Sequence, residues 1–480
     1  MKALPKLMFE LSREGKIGCG LNEADVPAAP AVDPALRRGD IADFPQLSEV
    51  EIVRHYMALA QLNYSVDAGF YPLGSCTMKY NPKINEKLAA ADELQAHPYA
   101  PCDLVQGNLE IMARLDWWLC ELTGLAGFTL SPAAGAHGEF TGMLVIRKYL
   151  QEKGDPRKVV LIPDSAHGTN PASAHFAGYE VREIPSNAQG IIGLEELRAH
   201  LTPDVAALMM TNPNTLGIFE SNITAIAEAL HANGSLLYMD GANLNALLGV
   251  VRPGDLGVDV MHLNLHKTFA TPHGAGGPGS GPVGVAARLL PFLPVPRIVK
   301  NGDQFEVVTD DPRSIGRVKN FYGQFLVMVR ALAYLMTLGR ENVRRVAEDA
   351  VLNANYIRKK LEGKLDLPYA TSTLHEVVFS DQGLAVKTLD IAKRLLDYGC
   401  HPFTIYFPLI VHGAMMIEPT ETESKETLDE FIGIMETILR EARENPDLLR
   451  QAPTRTPVRR LDETLAARKP VLKWSRGGDM

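Results

Sequence analysis

The chain has 480 residues and a formal net charge of −9, so it lacks the basic surface that nucleic acid or an anionic membrane would require. No apolar run reaches the roughly 18 residues that a membrane span needs, and the N-terminus lacks a signal-peptide core. Its five cysteines are scattered and lack zinc-site spacing, which favours a reducing cytoplasm and argues against a disulfide framework or a metal site.

The first hundred residues read as an N-terminal extension. Residues 1–45 are rich in Pro, Ala and Asp, and we expect an irregular arm that lies over another surface. Ser48 and Glu51 form a capping-box pattern that predicts an amphipathic helix to about Asn63. Residues 71–82 then form a loop that is unusually rich in hydroxyl, thiol and amine groups, although a plain solvated turn is an equally good interpretation.

A long helix from Leu104 to a stop at Gly124 is followed by alternating strands and helices. Unbroken apolar runs, typical of strands covered on both faces, predict a mostly parallel sheet in an α/β domain. The predicted strands are 128–130, 159–162, 181–184, 206–210, 236–239, 258–265 and 283–285. The predicted helices between them are 136–152, 193–201 and 221–233.

The C-terminal part predicts a smaller α+β domain. Helices over 321–338 and 341–362 lead into it, strands are expected at 377–379 and 415–417, and helices at 385–398 and 424–443 should pack on those strands. The polar tail beyond Pro446 is expected on the surface. We therefore expect three parts: residues 1–100, an arm and helical segment; 101–330, the large domain; and 331–480, the small domain.

Two opposite charges follow neighbouring predicted strands. Asp240 ends the strand 236–239, and Lys267 follows the strand 258–265, so both should lie at the sheet edge where open α/β sheets bind ligands. A lysine here suits a Schiff base with an aldehyde cofactor, and an aspartate facing a pyridine nitrogen makes pyridoxal phosphate an electron sink. Ala242 is small enough for a ring to lie flat against the backbone. Taken singly, Lys267 would be an ordinary surface lysine and Asp240 a turn cap.

The turn 131–139 joins a predicted strand to a predicted helix. Small residues there would expose backbone N–H groups to a phosphate, and Ala134, Gly135 and Ala136 are the candidates. In the next crossover His167 could stack on the exposed face of a cofactor, although a lone histidine is more often structural. The glycine-rich run 274–284 matches neither the P-loop nor the dinucleotide fingerprint, so it favours a close backbone passage over ATP or NAD binding.

Five ordered motifs together resemble one family. They are Tyr71-Pro-Leu-Gly-Ser-Cys-Thr-Met-Lys79, Ala166-His-Gly-Thr-Asn-Pro171, Asp240-Gly-Ala-Asn243, Leu263-Asn-Leu-His-Lys-Thr268 and Ile417-Glu-Pro-Thr-Glu-Thr-Glu-Ser-Lys425. This set resembles the P-protein family of the glycine cleavage system, and within it the second, C-terminal-half subunit of the split bacterial form. The likeness runs over nearly the whole chain, with departures at His401-Pro-Phe403 and His412–Met415.

The resemblance implies a fold type I pyridoxal-phosphate (aspartate aminotransferase-like) enzyme that decarboxylates glycine and transfers the aminomethyl group to the lipoyl group of an H-protein. Lys267 would carry the cofactor, Asp240 would face its pyridine nitrogen, and His167 its ring. His266 and Thr268 are implied as phosphate or lysine-positioning neighbours.

The resemblance also implies a homologous first subunit that lacks the cofactor lysine, with two copies of each subunit. Residues 1–45 and the loop carrying Ser75, Cys76 and Lys79 are candidates for crossing that interface or lining the lipoyl entrance.

Alternatives remain open at this point. Another fold type I decarboxylase or aminotransferase would fit the same residues, and a non-catalytic scaffold would fit everything except Lys267. Arg313 and Arg317 could hold a substrate carboxylate or be plain surface arginines. Cys76 and Cys400 are by default inert thiols.

Overall fold

The computed structural model describes residues 4–23, 25–27, 30–39, 41, 44–274 and 279–472. The chain separates into two compact units, residues 1–69 with 453–480, and residues 70–452. The boundaries expected at residues 100 and 330 stay a prediction. In the described ranges, every helix is too short or too polar to cross a membrane.

The regular elements follow the chain in order. The helices are α1 (Met8–Leu11), α2 (Glu49–Ala60), α3 (Lys83–Ala89), α4 (Gln106–Thr123), α5 (Gly135–Glu152), α6 (Thr169–Phe176), α7 (Leu194–His200), α8 (Ile223–Ala232), α9 (Phe325–Leu361), α10 (Thr388–Asp397), α11 (Lys425–Glu444), α12 (Pro446–Arg450) and α13 (Glu463–Arg468). The strands are β1 (Gly127–Thr129), β2 (Val159–Pro163), β3 (Glu180–Ile184), β4 (Val205–Thr211), β5 (Leu236–Gly241), β6 (Val260–Leu263), β7 (Val283–Val285), β8 (Arg297–Asn301), β9 (Gln304–Val308), β10 (Val377–Ser380), β11 (Thr404–Ile405) and β12 (Ala414–Ile417).

The unit of residues 1–69 with 453–480 contains α1, α2 and α13. Helix α2 begins with the predicted capping box, in which the Ser48 N–H donates to the Glu51 carboxylate at 3.0 Å. Lys16 forms an ion pair with the same carboxylate, which ties the arm to the start of the helix. Between α1 and α2, most described residues are irregular, as the Pro-rich sequence predicts.

A seven-stranded sheet forms the centre of the larger unit, in the order β1-β7-β6-β5-β4-β2-β3. Strands β2 to β6 pair in parallel, and β7 is antiparallel to both of its neighbours. Residues Val205–Met210 of β4 are buried on both faces, which is why their sequence is an unbroken apolar run. The predicted mostly parallel sheet is confirmed.

A smaller antiparallel sheet, in the order β10-β12-β11, belongs to the C-terminal part, and α10 and α11 contribute to the core that covers it. Helix α9 leads into it. The sequence predicted two helices broken near residue 340, and the backbone of Gly339 is non-helical at φ 65° and ψ 171°. The elements that the sequence analysis missed are α1, α3, α6, β11, α12, α13 and the β8–β9 hairpin.

The two sheets meet the loop 71–82. Leu73 forms an antiparallel bridge with Ile417 at the end of β12, and the Glu418 N–H donates to the Pro72 carbonyl at 3.3 Å. Because the carboxyl ends of β4, β5 and β6 share one edge of the central sheet, the polar residues that follow them face this same region.

Candidate active site

A cavity of about 230 Å³ lies at the carboxyl edge of the central sheet. Six of the residues that the sequence analysis singled out for a cofactor line it: Lys267, Asp240, Ala242, His167, Gly135 and Ala136. These residues come from four separate strand ends and turns. The structure therefore brings together groups that span 132 positions of sequence, from Gly135 to Lys267.

Lys267 lies in the turn that follows β6 and is half-buried. Its N–H donates to the Asn264 carbonyl at 3.1 Å, and its own carbonyl accepts from the Ala270 N–H at 3.2 Å. Next to it, the buried Thr268 hydroxyl accepts from the Leu244 N–H at 2.8 Å, which fixes the turn to the segment after β5. Thr268 thus braces the lysine turn and does not line the cavity.

Asp240 lies on β5, directly opposite His262 of β6 in the strand register, and is buried. One carboxylate oxygen accepts from the Ala242 N–H at 3.0 Å and the other from Asn170 Nδ2 at 2.9 Å. Burial acts to raise the pKa of Asp240, but the charge of His262 and the hydrogen bond from Asn170 together lower it by more than burial raises it. Its pKa therefore lies below the usual value, and the carboxylate is ionised at neutral pH.

A second buried carboxylate, Glu139 of α5, has an oxygen within 4.8 Å of an Asp240 oxygen. It accepts hydrogen bonds from Thr169 Oγ1 at 2.7 Å, Asn170 Nδ2 at 3.1 Å and Ser173 Oγ at 3.1 Å. The amide of Asn170 thus bridges the two carboxylates. These three donors lie on α6, so this short helix is held in place by its bonds to Glu139 and Asp240.

The N-terminus of α5 contains the three residues for which the sequence analysis predicts a phosphate cradle. Ala134 is its extended N-cap, and Gly135 and Ala136 open the helix with backbone N–H groups at the cavity wall. A Cβ on Gly135 would lie 2.1 Å from Asn264 Oδ1, and one on Gly281 would lie 2.1 Å from the Ala134 carbonyl oxygen. The glycine-rich run therefore passes tightly against this turn, while its residues 275–278 lie outside the described ranges.

The two predicted histidines are placed differently. His167 lines the cavity, and its Nδ1 accepts from the Thr169 N–H at 3.2 Å, so the other ring nitrogen carries the proton in the neutral form. His266 points to His273, with ring centroids 4.7 Å apart and the rings at 89°. Burial, Lys267 and His273 lower the pKa of His266 to about 3, so it is uncharged at neutral pH.

The chain was compared with known proteins and structures. A family model described as glycine dehydrogenase, C-terminal domain, matches residues 346–454, and one described as aminotransferase class-V matches residues 139–277. A relative from Thermotoga petrophila named probable glycine dehydrogenase (decarboxylating) subunit 2 is 55% identical over 473 residues, covering 97% of this chain and 99% of the relative. This chain belongs to the glycine dehydrogenase (decarboxylating) subunit 2 family.

Two solved structures share the fold. The crystal structure of glycine decarboxylase (P-protein) of the glycine cleavage system, in inhibitor-bound form, superposes with a TM-score of 0.71 at 21% identity, covering 84% of this chain and 93% of that one. Oryza sativa TDC with PLP and tryptamine gives a TM-score of 0.65 at 13% identity, covering 86% and 92%. The predicted fold type I α/β class is confirmed.

The sequence analysis of this subunit 2 chain gave no role to several polar residues at the site, among them Thr77, Asn243, Glu376 and Glu418. Thr77 and Asn243 both donate to the buried Glu418, and Glu376 lines the cavity beside Lys267. Thr77, Asn243 and Glu418 lie within motifs that the resemblance had already singled out, which is a usable signal. Glu376 carries no sequence signal, because it sits in an ordinary run before a short strand.

The remaining candidate residues lie away from the cavity. Arg313 forms an ion pair with Glu152 at 2.6 Å, and Arg317 is exposed; neither lines the cavity. Lys79 is buried, so the expectation that its side chain could line an entrance is wrong. Cys76 lines the cavity as a free thiol, and burial raises its pKa, which favours the inert protonated form. Burial likewise raises the pKa of Cys400.

The residues at the cavity fit a phosphorylated pyridine aldehyde. Thr211 Oγ1 and Asn264 Oδ1 are buried and have no hydrogen-bond partner among the described residues, and both residues line the cavity. Buried polar groups are normally paired, so these two atoms indicate a polar occupant. The glycine at position 135 leaves the helix N-terminus open to an anion, while Lys267 and Asp240 supply the amine and the anionic partner that such a cofactor needs.

Proposed function

We propose that this chain is the pyridoxal-phosphate subunit of a glycine decarboxylase that transfers the aminomethyl group of glycine to the lipoyl group of an H-protein. One observation carries the proposal: Asp240 near the end of β5 and Lys267 in the turn after β6, two paired parallel strands, line one cavity. The membership of the chain in the glycine dehydrogenase (decarboxylating) subunit 2 family supports glycine as the substrate.

The chemistry that pyridoxal phosphate supplies when bound is an electron sink for the pair released as glycine loses CO2. Lys267 would hold the cofactor covalently through its amine, and the ionised Asp240 would keep a proton on the pyridine nitrogen. The N–H groups of residues 134–136 would bind the phosphate, with Thr268 bracing the lysine turn. His167 would cover the ring face, and Ala242 would leave room for the ring on its other side.

The charge of the cavity suits a decarboxylation. In the described part of the chain, Lys267 is the sole lysine or arginine that lines the cavity. The carboxylate of glycine leaves as neutral CO2, so it loses its charge on the way to the transition state. A strong ion pair with it would therefore stabilise the ground state and slow the reaction.

We further propose that the chain works with a homologous first subunit, two copies of each, and with a lipoylated H-protein in the cytoplasm. The relatives are named subunit 2, which supports a homologous first subunit as a partner. The reducing location is supported by the five cysteines, which all lie in described ranges and are free thiols. Residues 1–45 and the Ser75–Cys76 loop are the proposed contacts with these partners.

The test uses the chain co-purified with its first subunit. After borohydride reduction, peptide mass mapping should place the pyridoxyl group on Lys267, and Lys267→Ala should abolish both the label and glycine-dependent CO2 release. Lys359→Ala, on an exposed stretch of α9, is the matched control and should behave as wild type. If wild type instead releases CO2 and free methylamine from glycine when no lipoylated acceptor is present, the chain is a simple amino-acid decarboxylase.

A further inference from the structure

Two buried glutamates outside the proposed cofactor-binding set stand side by side at the cavity. Glu376 precedes β10 and Glu418 follows β12, and these strands are antiparallel with Val377 opposite Ile417. The pairing places the two carboxyl groups together, and each offers an oxygen within 4.8 Å of the other and of a His375 ring nitrogen. Both side chains are nearly or fully inaccessible to solvent, at 4% and 0% exposure.

The two carboxyl groups have different hydrogen-bond partners. Glu418 accepts three hydrogen bonds: from the Thr77 hydroxyl at 2.7 Å, from the Thr77 N–H at 3.2 Å and from Asn243 Nδ2 at 2.7 Å. Glu376 accepts one backbone donor, the Ser75 N–H at 3.2 Å. Hydrogen bonds stabilise a carboxylate, so the negative charge belongs on Glu418. Two like charges at this separation in a buried site cannot both persist, so Glu376 is the one that keeps a proton.

Of the pair, Glu376 is the member that reaches the cavity, where it lies beside Cys76 and Lys267. We propose that Glu376 is the acid of this active site: it holds the single proton of the Glu376–Glu418 pair and donates it to the sulfur released when the lipoyl disulfide opens. This inference rests on the proposed function, because it assigns the proton of that reaction's second half.

The step balances in atoms and electrons. After glycine loses CO2, the electron pair left on its carbon forms a C–S bond to one sulfur of the disulfide, and the S–S bond breaks. The S–S electron pair leaves on the second sulfur, which takes the proton from Glu376 and becomes a thiol. The carbon is oxidised and the disulfide is reduced. Glu376 then regains a proton from water, which restores the singly protonated pair.

The electrostatic surroundings agree with this assignment. Burial raises the pKa of both carboxyls, and for Glu376 the neighbouring charge of Glu418 raises it further, well above the usual value. Among the described residues, the other titratable groups that interact with the pair are Lys267, which lowers both pKa values, Cys76, His375 and, on the side of Glu418, Lys79. Burial and Lys267 lower the pKa of His375 to about 3, so this ring stays neutral and does not compete as the acid.

The pair also shapes the loop that covers it. Ser75 and Thr77 have positive φ angles of 66° and 50°, which is an unfavourable conformation for residues with a side chain and especially for β-branched threonine. The backbone N–H groups of these same two residues are the ones bound by Glu376 and Glu418. The carboxyl pair therefore holds Cys76, which lies between them, at the cavity wall.

The experiment compares Glu376→Gln with Glu418→Gln in the complex of both subunits with lipoylated H-protein. Glutamine at position 376 keeps an acceptor for Ser75 but has no acidic proton. Cofactor absorbance and its response to glycine should stay within twofold of wild type, while lipoyl-dependent CO2 release falls about 100- to 10,000-fold, the usual contribution of an acid catalyst. Glu376→Asp, which retains a proton, should keep part of the activity.

The pH profile separates this role from a structural one. In wild type, kcat should fall at alkaline pH as Glu376 loses its proton. Glu418→Gln removes the neighbouring charge, so this alkaline limb should move to lower pH. Glu426→Gln, an exposed glutamate of α11, should leave the profile unchanged.

Infrared spectroscopy reads the proton directly. At a pH above the pKa of Glu423, a carbonyl stretch of a neutral carboxylic acid should be present in wild type, absent in Glu376→Gln and titrate at lower pH in Glu418→Gln. The assignment is overturned if Glu376→Gln turns over within threefold of wild type, or if the band is lost from Glu418→Gln while remaining in Glu376→Gln. If wild type itself releases no CO2 with a lipoyl acceptor, the proposed function fails, and the band still decides where the proton resides.

Discussion

His262 Nε2 lies 3.3 Å from Asp240 Oδ1 across the β5–β6 pair, while its Nδ1 lies 2.9 Å from the Tyr238 hydroxyl. Burial and the nearby charges of Glu139 and Asp240 raise the pKa of Tyr238 well above its usual value, so the tyrosine keeps its proton. On its other side the His262 ring faces the Asp240 carboxylate, and the charge of His262 lowers the pKa of Asp240. His262 thus helps to keep Asp240 anionic.

From this relationship we predict that His262→Gln weakens cofactor binding about tenfold, equivalent to about 1.4 kcal/mol. Asp240 has a lowered pKa because of His262, so in the variant its carboxylate takes up a proton at a higher pH. Pyridoxal-phosphate titrations followed by absorbance should show affinity falling earlier as the pH decreases. His412→Gln, whose side chain is 95% exposed, is the control. Equal affinity of His262→Gln and wild type at every pH would contradict the role given to His262.

The opening of α5 yields a steric prediction. A methyl group on Gly135 would lie 2.1 Å from Asn264 Oδ1, in the wall of the cavity, so Gly135→Ala must displace either the amide or the helix start. We expect cofactor affinity to fall at least tenfold and overpacking to cost about 1–3 kcal/mol of stability. Gly433→Ala, which meets no atom within 4 Å on helix α11, should bind cofactor normally and gain roughly 0.5–1 kcal/mol. Normal cofactor affinity in Gly135→Ala would remove position 135 from the phosphate cradle.

The sequence could predict what lies at the ends of continuous apolar runs. Strands β4 to β6 are runs of buried, mostly apolar residues, so the polar residues at or shortly after their carboxyl ends, among them Asp240 and Lys267, could be placed at one sheet edge. The β8–β9 hairpin was also accessible, because Gly302 and Asp303 form a two-residue turn between alternating strands. Helix α6 carries Pro171 in its first turn, where proline is tolerated, so the proline does not exclude a helix at this point of the sequence.

The rest of the site depends on contacts between distant segments. The Glu418 carboxylate binds Thr77, which lies 341 positions earlier, and Asn243, which lies 175 positions earlier. Gly281 approaches Ala134 through backbone atoms alone, so no side-chain pattern marks the contact. Such pairings are set by how the two sheets and the loop 71–82 pack together. Local propensity and periodicity do not contain that information.

A pH effect on stability is expected from Glu423, whose pKa burial raises to about 7. A carboxyl with a folded-state pKa above its unfolded value of about 4.5 adds stability that is complete below pH 4.5 and is lost as the pH rises through 7. Wild type should therefore lose unfolding free energy between pH 5 and pH 8, and Glu423→Gln should lose less. Urea unfolding at both pH values measures this difference. Glu430→Gln, an exposed position on α11, should follow wild type; if Glu423→Gln does so as well, Glu423 is ionised in the folded protein.

The ion pair of Lys79 and Glu421 is expected to be costly to break. Lys79 Nζ lies 2.6 Å from Glu421 Oε1, the two side chains are 0% and 10% exposed, and the Tyr334 hydroxyl donates to the same carboxylate oxygen at 3.0 Å. Lys79→Met leaves a buried carboxylate without its counter-charge, which should cost about 3–5 kcal/mol in urea unfolding. The double variant Lys79→Met/Glu421→Gln removes both charges and should lose less than the sum of the two single variants.

The matched control for this pair is Lys425 with Asp429, an ion pair on the surface of α11 whose side chains are 67% and 44% exposed. Solvent screens that pair, so Lys425→Met should leave the free energy of unfolding close to that of wild type. Burial of the charges, and not the ion pair as such, is then the cause of the difference between the two lysines. A loss in Lys79→Met as small as that in Lys425→Met, or strict additivity of the two single variants, would show that Glu421 is reached by water or protonated when Lys79 is absent.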